Sequence, residues 1–305
     1  MRRAVYATAA GVCAAGAARL AYSAMNRRPP GGPKAWSRTN HRGEPVTLLE
    51  GPAVAAGAIA GVLAQAALAA SGSLGSPGRS RTAAMVLSGT GAAAFGAYDD
   101  LAGSGDRRGF RGHLGALRHG EVTTGAVKLG GIGATGLASA ALAGGSPADV
   151  IINAGLVAGG ANLLNLFDLR PGRAIKVATA SGALLAAAGQ DGVTVPLGAA
   201  LALLPEDLGE RAMLGDAGAN ALGAMLGASA AGLSRPARIA LLAGIAGLTA
   251  ASEKVSFTKV IERTPALHRL DMLGRRPAPR PASPPLAPPQ LAGVTIPAQR
   301  PEPAG

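Results

Sequence analysis

The sequence predicts an all-α fold, a multi-pass transmembrane bundle of about nine to ten helices. Three observations carry that expectation. Of 305 residues, 48% are hydrophobic and only 15% charged, whereas a soluble domain is about 25% charged. Several apolar runs approach the roughly 20 residues needed to cross a bilayer. Most Lys and Arg lie between those runs rather than inside them. Ala and Gly dominate the apolar content, which suits close helix packing in lipid, where small residues let backbones approach. The dyad alternation of a transmembrane β-barrel is absent.

In chain order the predicted spans are about 4–25, 52–71, 82–98, 124–144, 147–166, 174–189, 192–205, 212–232 and 236–252. Residues 4–25 have some features of a signal peptide, but the run is long, contains Arg19 and lacks a clear cleavage site, so it reads as a retained first span. The sixth and seventh are short, separated by Gln190-Asp191 between Gly189 and Gly192. The distribution of cations orients the set. One group of loops holds Arg27, Arg28, Lys34, Arg38 and Arg42, then Arg107, Arg108, Arg111 and Arg118, then Arg170 and Arg173, then Arg211, with six more Lys and Arg from Lys254 to Arg276. The opposite group holds Arg2, Arg3, Arg79, Arg81, Arg235 and Arg238. The richer group is expected in the cytoplasm, with the N-terminus outside and the C-terminus inside. That orientation, built on cations alone, also brings Asp99, Asp100, Asp168 and Asp216 to one face. Merging the two short spans would strand Asp216 on the other.

The membrane domain is expected over 1–276. The remainder, 277–305, is Pro- and Ala-rich and reads as a disordered tail. Net charge is +12; in a chain of spans this sets topology and attracts anionic lipid or phosphorylated substrates, with no nucleic acid required. Cys13 is the single cysteine, which excludes an internal disulfide or a cysteine-rich metal site. His41, His113, His119 and His268 show no metal-ligand spacing.

Three acidic constellations end or open spans. Asp99-Asp100 follows Tyr98; adjacent carboxylates repel unless a cation or a proton sits between them, and Mg²⁺ takes carboxylate and phosphate oxygens. A solvated helix end is the other reading. Asn162-Leu163-Leu164-Asn165-Leu166-Phe167-Asp168 places Asn162, Asn165 and Asp168 three apart, on one broad helix face. Amides there can hold a nucleobase or a diphosphate oxygen, and Asp168 can ligate a metal or accept from a base edge. Arg170 and Arg173 flank a helix-breaking Pro171-Gly172 and can neutralise phosphate. Interhelical amide bonds are the alternative. Met213-Leu214-Gly215-Asp216-Ala217-Gly218 puts an acid at a helix start, where capping alone also favours it. Lys128 lies about one turn into the fourth span, where an ammonium needs a partner or must snorkel. The 38–52 segment, with Arg38, His41, Arg42 and Glu50, reads as a basic connecting loop.

Taken together, Tyr98-Asp99-Asp100, Asn162–Asp168 and Met213–Gly218 resemble, in order, the motifs of the polyprenyl-phosphate N-acetylhexosamine-1-phosphate transferases, which include the phospho-N-acetylmuramoyl-pentapeptide translocases. The resemblance covers roughly residues 35–255. It implies about ten helices in the plasma membrane and a cytoplasmic site. It also implies transfer of a sugar-1-phosphate from a UDP-sugar to a polyprenyl phosphate, with Mg²⁺ as cofactor and UMP released. On the matching positions, Asp99, Asp100 and Asp216 would be catalytic, with Asp216 and Asp100 as metal ligands. Lys128, Asn162, Asn165, Asp168, Arg170 and Arg173 would contact substrate.

Three departures accompany the resemblance, one of them a span fewer than the family has. Family members continue the second motif with Gly and another Asp, where this chain has Leu169-Arg170-Pro171-Gly172-Arg173. Their His-rich loop near the C-terminus has no counterpart in Ser252–Arg263 or the lone His268. A non-catalytic relative that binds lipid phosphate or a nucleotide sugar, or scaffolds an envelope-building complex, is therefore the alternative expectation. The sequence leaves monomer and homodimer both open.

Overall fold

The structure is a computed structural model and describes residues 2–71, 78–103 and 122–277. The chain begins with α1 (Arg2–Arg27), a short α2 (Pro33–Trp36), and a hairpin of β1 (Ser37–Thr39) and β2 (Pro45–Thr47). Then come α3 (Glu50–Ser71), α4 (Arg79–Ala102), α5 (Thr124–Ala143), α6 (Pro147–Phe167) and α7 (Arg173–Ala187). A 3₁₀ turn (Asp191–Val193) leads into α8 (Thr194–Leu208), followed by α9 (Gly215–Ala230), α10 (Arg235–Ser252), α11 (Phe257–Arg263) and α12 (Pro265–Met272). The arginines at 107, 108, 111 and 118 and the tail from 278 onward lie outside the described residues.

Each predicted span coincides with a helix of its own, and the two short ones are separate. The count of crossings differs from expectation. Among the described residues four helices, α1, α3, α5 and α6, are long and apolar enough to cross a membrane, and a fifth span qualifies if α10 and α11 form one broken by a 93° bend. Helices α7, α8 and α9 have 15, 15 and 16 residues, short of the roughly 20 a crossing needs.

Local chemistry sets several boundaries. Ser146 and Asp149 form a reciprocal capping box ahead of Pro147, which starts α6 where a missing N–H is harmless. Thr123 accepts from the Ala126 amide and starts α5. Pro171 and Gly172, the latter in the left-handed region, break the chain between α6 and α7.

Helix α9 is the axis of the packing. Nearly all its residues are buried, and it lies against α3, α4, α6 and α7. A helix apolar all round belongs inside a bundle rather than on its surface. Beside it, Ala10, Ala14 and Ala18 of α1 meet Ala53, Val54, Ala58 and Val62 of α3 in one core. Cores built on Ala bring helix axes close.

The hairpin was not expected from the sequence, where residues 38–52 read as a loop, and neither were the short helices α2, α11 and α12. The hairpin's strands pair Ser37 with Thr47, Arg38 with Val46 and Thr39 with Pro45. The Asn40 side chain closes the turn by accepting from the Arg42 and Glu44 amides, an arrangement that mimics a backbone turn. The hairpin is joined to the segment before α9: the Thr47 amide donates to Arg211 and the Met213 amide to Thr47. A short β-ladder thus places the start of α9.

Candidate functional site

Three helix ends converge on one cluster of charge. Lys128 of α5 sends its ammonium 2.7 Å from an Asp99 oxygen on α4 and 2.6 Å from an Asp216 oxygen on α9. These two carboxylates are within hydrogen-bond reach of each other, and Thr124 also bonds Asp99. The side chains of Asp99 and Asp216 remain 16% and 23% exposed, so a ligand can reach them from outside.

Asp100 has a different task from its neighbour. Its two oxygens accept the backbone N–H groups of Asp216 and Ala217, at 3.0 and 2.9 Å. It is an N-cap supplied by another helix, satisfying donors that α9 leaves unpaired and opposing the positive end of its dipole. Arg38 of β1 donates to the Asp100 carbonyl oxygen, so the hairpin also holds the end of α4. Glycine makes this junction feasible twice. A Cβ on Gly96 would run into the Asp216 carbonyl, and Gly215 turns the chain at φ +59 beside the Asp100 carboxylate.

The sequence reading therefore needs two corrections of placement. Asp216 pairs with Asp99, rather than with Asp100, around a shared cation; Asp100 is occupied by backbone donors. Arg173, expected to meet phosphate, is 3% exposed. It makes a two-pronged bond to Asp271 of α12 (Nε at 2.7 Å, Nη2 at 3.0 Å) and a third bond to Thr258. A guanidinium with those partners is part of the framework.

The remaining expected residues lie on or next to the end of α6. Asp168 caps α6 and faces the charges of Asp207, Asp216 and Asp100. Burial first, then those charges, raise its carboxyl well above the ordinary range, while the Gly215 amide bonds it and works the other way. Asn165 is half-buried one turn back. Asn162 donates to Thr249 of α10 at 3.4 Å, which supports the interhelical reading for that amide. Arg170 is partly exposed and 3.9 Å from Glu262, free enough to swing toward an anion.

Four buried acids, Glu50, Asp207, Glu210 and Asp271, were not expected from the sequence. Two of them hold a carboxylate oxygen that no hydrogen bond or ion pair reaches among the described residues. Glu50, at the start of α3, is fully buried, and neither carboxylate oxygen finds a hydrogen-bond partner among the described residues. Asp207, 2% exposed, has one such oxygen and accepts from the Gly172 amide. Both sit at helix ends on the face the cation bias assigns to the cytoplasm, which is the signal that would have found them.

No set of three or more His, Cys, Asp or Glu among the described residues is arranged to hold a metal. Mg²⁺ does not require one, since it is often bound by one or two carboxylates with water and substrate phosphate. Asp99 and Asp216 fit that donor set: two oxygens already converge on one cation, the Lys128 ammonium. Two cavities of about 550 and 640 Å³ lie toward the other end of α4. They are lined by residues such as Gln65, Arg79, Arg81, Ser139 and Gln190, with Asp191 as the one acid, and contain none of Asp99, Asp100, Asp168, Asp207, Asp216 and Glu50. Compared with known proteins, the chain matches no family model and no curated protein sequence.

Proposed function

We propose that the chain is a Mg²⁺-dependent phosphoglycosyl transferase that moves a sugar-1-phosphate from a UDP-sugar to a polyprenyl phosphate and releases UMP. The observation that carries this reading is the Asp99–Lys128–Asp216 triad. Two acids and one base, partly open and at the end of apolar helices, suit two phosphorylated substrates, one of them a lipid.

The chemistry asks for positioning and neutralisation rather than covalent catalysis. A phosphate oxygen of the lipid attacks the β-phosphorus of the UDP-sugar, the bond from that phosphorus to the bridging oxygen breaks, and UMP leaves with the oxygen. Bound Mg²⁺ would supply charge neutralisation at the diphosphate, held by Asp216 and Asp99. Lys128, released from one carboxylate, meets a phosphate oxygen. Asp100 keeps the first turn of α9, and hence Asp216, in place. Asn165 and Asp168 face the nucleotide, and Arg170 reaches the diphosphate. With this end of the bundle in the cytoplasm, as the cation bias orients it, both a lipid acceptor and a soluble donor at the plasma membrane come within reach.

A second reading is supported by the commitments of Asp100 and Arg173. A relative that binds lipid phosphate or nucleotide sugar without turnover would keep the framework and lose the reaction. The deciding experiment gives the purified protein undecaprenyl or decaprenyl phosphate, Mg²⁺ and a panel of UDP-sugars, beside Asp216→Asn. UMP that needs both lipid and Mg²⁺ and vanishes in the variant establishes the transferase. Lipid binding without UMP from any donor establishes the second reading.

A further inference from the structure

After α10 the chain turns through 93° into α11, so if α10 runs through the bilayer, α11 runs along its surface. The inward side of this elbow is firmly seated. Phe257 stacks on Phe167 with ring centroids 5.1 Å apart. Asp271 holds Arg173 and Arg275, and Arg276 pairs with Glu44 of the hairpin.

The outward side is unusual for a segment beyond the last span. Val260 is 41% exposed, Leu267 42%, Leu270 62% and Leu273 68%. Lys254, Lys259, Arg263 and Arg269 stand exposed among them, and none of the four meets a carboxylate among the described residues. Of the acids on α11 and α12, Asp271 is drawn inward to Arg173 and Glu262 aside toward Arg170, while Glu253 precedes Lys254 at the end of α10. In α12, Leu267 and Leu270 are three residues apart and share a face. Exposed aliphatics interleaved with unpaired cations, beside a span, are the composition of a helix that lies in a membrane interface. Cations there attract anionic headgroups over about a Debye length.

We propose that the α11–α12 elbow docks on anionic lipid headgroups of the membrane that the long apolar helices enter. Val260, Leu267 and Leu270 sit at the acyl boundary, and Lys259, Arg263 and Arg269 lie at phosphate level. Because Asp271 reaches from this elbow to Arg173 of α7, and Arg276 to Glu44 of the hairpin that holds the end of α4, lipid charge then bears on a support of the Asp99–Lys128–Asp216 triad. The inference stands independently of the transferase chemistry.

The chain has one cysteine, Cys13, and it is exposed, so a single probe is simple to place. The full chain carrying Cys13→Ser and Leu270→Cys would be labelled with an environment-sensitive dye. It would be compared in nanodiscs of phosphatidylcholine alone and of phosphatidylcholine with phosphatidylglycerol. The expected result is blue-shifted emission, a several-fold loss of quenching by acrylamide, and quenching by doxyl-labelled lipid in the anionic discs. Each effect should shrink in neutral discs and in the Lys259→Gln, Arg263→Gln, Arg269→Gln variant. A dye equally open to acrylamide in both discs overturns the docking. Equal shielding in both discs, unchanged in the charge variant, overturns the anionic assignment. The lipid comparison needs no charge variant, so a folding defect there leaves the test intact.

Discussion

Two ion clusters at the same end of the bundle solve the problem of low-dielectric charge in opposite ways. In the Arg173–Asp271 clamp, one base meets one acid by a two-pronged bond, with both residues 3–6% exposed and further bonds from Thr258 and Arg275. In the Asp99–Lys128–Asp216 triad, one base serves two acids, and the acids stay partly open. In the Arg173–Asp271 pair every side-chain nitrogen and oxygen is bonded, although Nε of the adjoining Arg275 has no partner among the described residues, whereas the triad keeps an acid to spare. Buried pairs persist where every donor and acceptor is met; a cluster with an acid to spare keeps affinity for another cation. That asymmetry separates framework from candidate chemistry more clearly than residue type does, since both clusters contain the same kinds of side chain.

The sharpest way to break the comparison is to neutralise the triad. Asp216→Asn or Asp99→Asn should lower UMP release by at least about 10²–10³-fold, the size of losing one preorganised electrostatic contact. The melting temperature should stay within a few degrees of the parent. Retained activity in both variants would place the chemistry elsewhere.

The clamp should respond in the reverse sense. Asp271→Ala leaves Arg173 buried without its partner and should lose about 3–5 kcal/mol of stability, read as a shifted denaturation curve in detergent. Adding Arg173→Met should restore a large part of that loss, because the uncompensated charge is gone. If Asp271→Ala unfolds no more easily than the parent, the clamp is not framework.

Lys128→Met tests whether the triad has room for a divalent cation. Removing the resident ammonium leaves Asp99 and Asp216 facing each other, so Mg²⁺ should raise the variant's melting temperature more than the parent's. Saturation at 100 times the dissociation constant corresponds to about 2.7 kcal/mol. Equal Mg²⁺ responses would remove these two carboxylates as the metal donors.

The smallest expected effect is on pH. Burial alone would raise the Asp271 carboxyl, but the Arg173 bond and the charges of Arg173, Arg275 and Lys176 hold it below its ordinary value. A carboxyl depressed in the folded state contributes stability that is full above its unfolded value of about 4 and fades as pH falls through the lower folded value. The parent should therefore lose this contribution only below about pH 4, and the acid limb of its stability curve should flatten in Asp271→Ala. An unchanged limb would mean that other acids dominate there.

How far these regions could be read in advance differs for identifiable reasons. The positions of α3, α6 and α10 follow from apolar run length and from boundary signals such as Ser146-Pro147 and Pro171-Gly172. The gathering of Asp99, Asp168 and Asp216 on one face followed from cation bias alone. The hairpin was hidden because each strand has three residues, too few for a period-2 pattern, and its pairing depends on Arg211 and Met213 far along the chain. Arg173 looked like a phosphate ligand because its partner, Asp271, lies 98 residues away. Local pattern cannot reveal which of two adjacent aspartates turns toward α9.

By itself, the sequence determined the helical class, the places of nine helices and the end of the bundle where acids and bases collect. Those properties depend on transfer energies and loop charge, which sum over contiguous residues. Only the tertiary structure decided that Asp99 rather than Asp100 shares Lys128 with Asp216, that Arg173 is spent on α12, and that Glu50 is buried without a hydrogen-bond partner among the described residues. Those depend on which carboxylate meets which donor across a gap of a few ångströms, and backbone geometry between distant segments sets that gap.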